Sequence, residues 1–239
     1  MSLSKNHIKL ITSLSKKKYR QKHKLFVVEG LKAVNEFLNS SFDLEILFST
    51  ESNFSYLENF IEISEHELKK ISTLKTPNKV LALFKIPEEQ ETCCLGLTIA
   101  LDTINDPGNL GAIIRLCDWF GVEQLVCSRE TVDCYNSKVI QSSMGSLTRI
   151  VISYLDLEEF IKSVSVPIFL ADMKGENIYN MKLPSSAILV MGNEANGVSD
   201  SLRTIVDTKI SIPRFGNYQQ TESLNVATAT AILLSEFKR

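Results

Sequence analysis

This chain predicts an α/β protein in two parts, a small N-terminal domain followed by a larger one, and three observations support that class. Short apolar runs of strand character alternate with segments whose apolar residues recur at helical spacing along most of the chain. A polar, acidic stretch, KIPEEQETCC, interrupts the alternation near residues 86–94 and separates residues 1–88 from residues 94–239. The 239 residues, 44% hydrophobic and 23% charged, suffice for a substantial core and argue against disorder.

In the N-terminal part, Leu3, His7, Leu10, Ile11 and Leu14 recur as on one face of a short amphipathic helix. A basic turn follows, then Phe26-Val27-Val28 as a strand. After Gly30, the stripe Leu31, Val34, Phe37 and Leu38 predicts a packed helix. Leu44 to Phe48 and Ile61 to Ile63 are short strand candidates. A short helix from His66 to Ile71, the Thr76-Pro77-Asn78 turn and a strand from Val80 to Phe84 complete this part.

The larger part reads as strands at Leu95 to Leu101, Gln124 to Cys127, Arg149 to Ser153, Pro167 to Ala171, Ala187 to Met191 and Lys209 to Ile212. Helices are expected over Leu110 to Phe120, Ser137 to Ser142, Leu157 to Val164 and Val226 to Phe237. Such alternation predicts a largely parallel sheet.

Composition excludes some classes and leaves others open. The five cysteines, Cys93, Cys94, Cys117, Cys127 and Cys134, are odd in number and lack paired metal-ligand spacing, so no metal is expected and a reducing cytoplasm fits better than a disulfide scaffold. The opening stretch MSLSKNHIKLITSLSKKKYR is too polar to span a membrane and lacks a secretory pattern, so it reads as mature protein without a membrane role. A net charge of -2 argues against a uniformly basic surface. The charge is nevertheless polarised: Lys5, Lys9, Lys16, Lys17, Lys18, Arg20, Lys22 and Lys24 precede the first acidic residue, Glu29. That patch suits either phosphate contact or an ordinary solvated face.

Three polar islands carry the chemistry. The first is Asp102-Thr103-Ile104-Asn105-Asp106-Pro107-Gly108-Asn109-Leu110-Gly111, a strand-to-helix junction dense in turn formers, in which Asn109 is the expected helix cap. Arg115 follows on the helix, available to a phosphate or ribose, or to a pair with Asp118 at i+3. The second, Val190-Met191-Gly192-Asn193-Glu194-Ala195-Asn196-Gly197-Val198, sets an apolar strand against a turn whose glycines admit a ligand to the main chain. In the third, Ile212-Pro213 is followed by Ser223-Leu224-Asn225-Val226, where Ser223 is a candidate cap for the last helix. Neither a GxGxxG nor a P-loop pattern occurs.

Taken in order, N105-D-P-G-N109-L-G111-A-I-I-R115, M191-G192-N193-E194 and I212-P213 with S223-L-N225-V226 resemble the three motifs of the SpoU/TrmH family of RNA ribose methyltransferases. The resemblance covers roughly residues 97–237. KKKYRQKHKLFVVEGLKAVNEFL is similar to the RNA substrate-binding domain often joined to that family's catalytic domain, with Phe26, Glu29 and Gly30 in the recurring pattern.

That resemblance implies a SPOUT α/β fold with a C-terminal trefoil knot, a homodimer, and methylation of a ribose 2′-hydroxyl in tRNA or rRNA. The knot is a family-derived exception to the rule against knotted chains. S-adenosyl-L-methionine would lie against Leu170, Ala171, Val190, Met191, Gly192, Asn193, Glu194, Ile212, Pro213, Ser223, Leu224, Asn225 and Val226. Asn109, Arg115, Glu194, Ser223 and Asn225 are the implied catalytic residues, with Arg115 orienting the hydroxyl. Lys16, Lys17, Lys18, Arg20, Lys22, Lys24 and Arg115 are the implied RNA contacts.

Two departures accompany the resemblance: the interval Arg214 to Glu222 is longer than the compact spacing, and Gln141 stands where arginine is frequent. Two alternatives stay open at this level, a noncatalytic RNA-binding or assembly protein on the same fold and a SPOUT enzyme that methylates a base.

Overall fold

The computed structural model describes residues 3–88, 96–193, 195–217 and 222–239. It divides into two compact units, residues 1–88 with 133–148 and residues 89–132 with 149–239.

The first unit begins with α1 (Lys5–Ser13), whose start is closed by a box in which the Ser4 hydroxyl accepts from the His7 N–H while His7 reaches back to Ser4. The basic stretch expected as a turn is a helix, α2 (Lys17–His23), ended by Lys24 in the left-handed region at φ 54°. Its sequence, KKYRQKH, carries no apolar stripe to announce it. Next come β1 (Leu25–Glu29), α3 (Leu31–Leu38), β2 (Leu44–Ser49), β3 (Phe60–Glu62), α4 (Glu65–Ile71) and β4 (Val80–Lys85).

These strands form a sheet of order β1-β4-β2-β3, antiparallel at β1/β4 and β4/β2 and parallel at β2/β3. Burial of Phe26, Phe37 and Phe84 builds an aromatic core on one side. Tyr135, from the segment 133–148, joins it with its ring 4.7 Å from that of Phe26.

The second unit runs β5 (Leu97–Leu101), α5 (Pro107–Phe120) and β6 (Gln124–Ser128). The chain then contributes α6 (Ser137–Ser143) to the first unit. It returns with β7 (Val151–Leu155), α7 (Leu157–Ser163), β8 (Ile168–Asn177), β9 (Ala187–Met191), α8 (Asp200–Ile205), β10 (Lys209–Ser211) and α9 (Val226–Phe237).

All six strands are parallel, in the order β10-β8-β9-β5-β6-β7. Because the central strands β5, β6 and β9 are buried on both faces, they read as continuous apolar runs. β8 is longer than its apolar run, since its polar second half pairs with β10 after an irregularity between Lys209 and Ile210.

From β5 the chain moves toward β6 and β7, whereas from β9 it moves to β10 on the other side. The carboxyl ends of β5 and β9 therefore lie side by side at a topological switch, with Leu101 paired to Met191. Such a switch opens a crevice suited to ligands. Cys117 and Cys127 are buried thiols in this unit, outside any disulfide. Burial pushes the Cys117 thiol up to about 12, which leaves it unreactive at neutral pH.

Candidate active site

The first two polar islands leave the sheet at that switch, and hydrogen bonds weld them together. Asp102, nearly buried just beyond β5, donates through its N–H to the Met191 carbonyl at 2.9 Å. Its carboxylate accepts from the Ser199 N–H at 2.7 Å and the Thr103 hydroxyl at 3.0 Å. Thr103 adopts φ 59°, an unfavourable conformation for a β-branched residue. It is held there from both sides: its N–H donates to Ser128 Oγ at 3.0 Å and its carbonyl accepts from Asn193 Nδ2 at 2.7 Å. The Asn193 oxygen accepts in turn from the N–H groups of Ala195 and Asn196.

Gly192 is required by this packing, because a Cβ there would sit 2.2 Å from the Gly197 carbonyl carbon. Arg203, on α8, ties the next segment down. Its Nε donates to the Val198 carbonyl at 2.7 Å and its Nη1 pairs with Asp172, beside Leu170 and Ala171. Asp172, Ser199 and Arg203 were not among the expected site residues, because their partners lie far away in sequence and no local pattern marks them, and Asp102 stood in the first island without a role of its own.

α5 starts earlier than expected. Asp106, rather than Asn109, is its cap and accepts from the Asn109 N–H at 2.9 Å. Pro107 sets this start, since its φ suits the first helical position and it lacks the N–H that a cap must satisfy. The Asn109 side chain is thus available elsewhere, and its Oδ1 accepts from Asn225 Nδ2 at 2.9 Å.

Asn225 rather than Ser223 caps α9. Its Oδ1 accepts from the N–H groups of Ala227 at 3.0 Å and Thr228 at 3.2 Å. The helix start demands an acceptor, so the amide is oriented with its NH2 toward Asn109. Two candidate catalytic residues 116 positions apart are thereby brought into contact.

Arg115 is exposed on α5. It makes no ion pair with Asp118, whose carboxylate instead takes Arg149 at 2.9 to 3.0 Å. Arg115 lies about 9 Å along the helix from Asn109 and about 120° around it, so the two do not share one face. Ser223 and Leu224 are exposed beside Asn225, Ile212 and Pro213 are half-buried, and Leu170, Val190, Met191 and Val226 are buried. Glu194 lies outside the described residues.

The basic residues of the first unit divide. Lys16, Lys17, Lys18, Lys22 and Lys24 are exposed. Arg20 is 3% exposed and is engaged inside the unit, donating to Asp133 Oδ2 and to the carbonyls of Leu14 and Ser15. This corrects its expected role as an RNA contact, because the guanidinium has no surface left for a phosphate. Gln141 is exposed on α6. Among the described residues, no group of three or more His, Cys, Asp and Glu is placed to hold a metal ion. No helix among them is long and apolar enough to cross a membrane.

Residues 96–235 match the SpoU rRNA Methylase family, and residues 5–82 match the MRM3-like substrate binding domain. The chain belongs to the SpoU rRNA methylase family, with an α/β SPOUT-like fold behind a small N-terminal substrate-binding domain. It is 33% identical to a 23S rRNA guanosine 2′-O-methyltransferase of Bacillus subtilis, over 92% of this chain and 91% of that protein. A solved structure of a TrmH-family protein from Porphyromonas gingivalis superposes with a TM-score of 0.90 and 36% identity, covering 98% of both chains. The AdoMet-bound rRNA methyltransferase of Sinorhizobium meliloti superposes with a TM-score of 0.88 at 26% identity, covering 100% of this chain and 97% of the other.

Proposed function

We propose that the protein transfers a methyl group from S-adenosyl-L-methionine to a ribose 2′-hydroxyl of rRNA or tRNA. The observation that carries this reading is the contact between Asn109 and Asn225, which joins the first and third motif islands of a chain in this family. Residues 1–88 serve as the RNA substrate-binding domain and residues 94–239 as the methyltransferase domain.

The donor set suits this cofactor. Leu224, exposed, and Ile212, half-buried, supply apolar surface for a purine ring, beside main-chain groups of Leu170, of Val190 to Asn193 and of Ser223 to Asn225. Ala171, Gly192, Glu194, Pro213 and Val226 complete the proposed pocket. When bound, S-adenosyl-L-methionine supplies a methyl carbon made electrophilic by its attached sulfonium.

The residues of this chain align and polarise. Asn109, steadied by Asn225, shapes the floor on which the ribose rests. Arg115 pairs with a phosphate beside the reacting nucleotide and so orients the 2′-hydroxyl. A guanidinium offers donors and no acceptor, so Arg115 orients the hydroxyl and does not take its proton. As the oxygen–methyl bond forms and the sulfur–methyl bond breaks, that proton passes to a phosphate oxygen or to solvent. Ser223, exposed beside Asn225, offers its hydroxyl to the pocket as a hydrogen-bonding group and not as a covalent nucleophile, since the sequence shows no His/Asp partnership for it. Glu194 belongs to the same set by its place in the second motif.

We further propose a homodimer and a trefoil knot formed by the segments around β8, β9 and β10. The dimer is supported by Trp119, 83% exposed one turn beyond Arg115 on α5, a position that favours burial against a second copy. The knot is carried by the family to which the chain belongs. A cytoplasmic setting fits thiols held outside disulfides and an RNA substrate.

The test follows radiolabelled methyl from S-adenosyl-L-methionine into separate pools of unmodified rRNA and tRNA, with chromatography of the labelled nucleosides. A 2′-O-methylnucleoside is expected. A methylated base, or no transfer to either pool despite cofactor binding, overturns the reading.

A further inference from the structure

The groove between α1 and α2 takes no part in the chemistry above. It measures about 640 Å³, and its lining includes Asn6, Lys9, Lys16, Tyr19, Lys22 and His23. Among the described residues, no acidic side chain lines it. The first acidic residue of the chain, Glu29, is occupied by hydrogen bonds from Ser72 and Thr73. Among the described residues, Lys9, Lys16 and Lys22 form no ion pair. The groove is therefore a concave surface of uncompensated positive charge, despite the net charge of -2 of the whole chain.

It also carries a flat aromatic surface. Tyr19 and His23, one helical turn apart on α2, have ring centroids 6.5 Å apart and planes only 23° from parallel. Lys18 adds its ammonium 4.9 Å from the Tyr19 centroid. Lysines beside tandem rings match the two surfaces of an unpaired nucleotide, a charged backbone and a free π-face. A base inside a duplex offers its edges and conceals its faces, so paired RNA matches the lysines alone.

Arg20 explains why the groove is formed by this sequence. It sits on α2 between Tyr19 and His23 but is buried, and its Nη1 donates to the carbonyls of Leu14 at 2.8 Å and Ser15 at 3.1 Å. Its Nε donates to Asp133 at 2.8 Å. The turn between the two helices is thus held from beneath, which sets their spacing. Arg20 is a positioning residue for the groove, and the exposed lysines around it are the contacts.

We infer that this groove binds an unpaired RNA nucleotide, its base on the Tyr19–His23 platform and its flanking phosphates on Lys9, Lys16 and Lys22. The inference rests on the RNA methyltransferase reading and adds the form of RNA and the residues that select it.

The experiment measures fluorescence anisotropy of the full chain with a fluorescein-labelled single-stranded RNA oligonucleotide and with the same strand in a duplex, over a salt series. Tyr19→Ala is expected to weaken single-strand binding about tenfold while leaving the salt slope and duplex binding unchanged. Tyr19→Phe retains the wild-type affinity. The triple variant Lys9→Gln/Lys16→Gln/Lys22→Gln is expected to lower the slope of log K against log salt by about 2, at roughly 0.7 per phosphate contact on a single strand. Both groove variants raise the RNA KM for methyl transfer and leave kcat at saturating RNA unchanged.

Wild-type single-strand affinity and salt slope in the folded triple variant overturn the groove, as does an equal loss of duplex and single-strand binding in Tyr19→Ala. Either result leaves the methyltransferase reading standing if the wild-type chain still transfers methyl. A wild-type chain that neither binds RNA nor transfers methyl overturns both.

Discussion

The loop after β5 and the loop after β10 both contribute to the candidate active site, yet they use their polar groups in opposite ways. After β5, Asp102, Thr103, Ser128, Thr131 and Asn193 bond to one another and to the main chain, and Asp102 and Ile104 are nearly or fully buried. After β10, Phe215 is 81% exposed and Leu224 48% exposed, while Asn225 is tied to both Asn109 and the start of α9. The first loop is a rigid floor whose groups are satisfied by the protein. Among its described residues, the second turns Phe215, Ser223 and Leu224 outward, where the proposed cofactor would meet them. Under the proposed function, preorganisation is concentrated where alignment would matter, and exposed groups where the cofactor would bind.

Arg115→Ala separates these duties most sharply. Because the side chain is exposed and unpaired among the described residues, methyl transfer is expected to fall by about 10²- to 10³-fold with no change in melting temperature. Single-turnover assays beside a thermal melt check this, and loss of stability would make Arg115 part of the floor.

Asp102→Ala attacks the floor itself. Removing a buried carboxylate strands the Ser199 N–H and frees the strained Thr103, so stability is expected to drop by about 2 kcal/mol in urea denaturation. Unaltered unfolding with reduced activity would instead place Asp102 among the ligand contacts.

Asn225→Ala removes the helix cap and the partner of Asn109 together. A stability loss of about 1 kcal/mol is expected. Activity should fall beyond that, and Asn225→Asp, which keeps the cap but loses the donor to Asn109, should recover the stability without the activity. Recovery of both would show that the contact with Asn109 has no catalytic consequence.

Leu224→Ala should leave the fold almost untouched. Its side chain is half exposed, so unfolding should shift by less than about 0.5 kcal/mol. Calorimetric titration with S-adenosyl-L-methionine should nevertheless show weaker binding. Wild-type affinity would move the cofactor contact away from this loop.

Much of this architecture is written in local sequence. The apolar run at Val226–Phe237 and the continuous strand at Ala187–Met191 have the expected bounds, because period and burial coincide there. α2 and α8 were missed, the first polar throughout and the second a short segment without a strong stripe. The three islands of the site were also legible, since turn residues cluster where chain direction changes.

What the sequence by itself determined, then, was the alternation of strands and helices, the polar junctions between them and the concentration of positive charge before Glu29. Tertiary structure alone decided the pairings. It turned Asp118 toward Arg149 and left Arg115 exposed, buried Arg20 against Asp133, and set Asn109 against Asn225. Local spacing constrains neighbours within a turn or a strand pair. Partners 31, 113 and 116 residues apart are chosen by the packing that brings their elements together, and no local spacing records that choice.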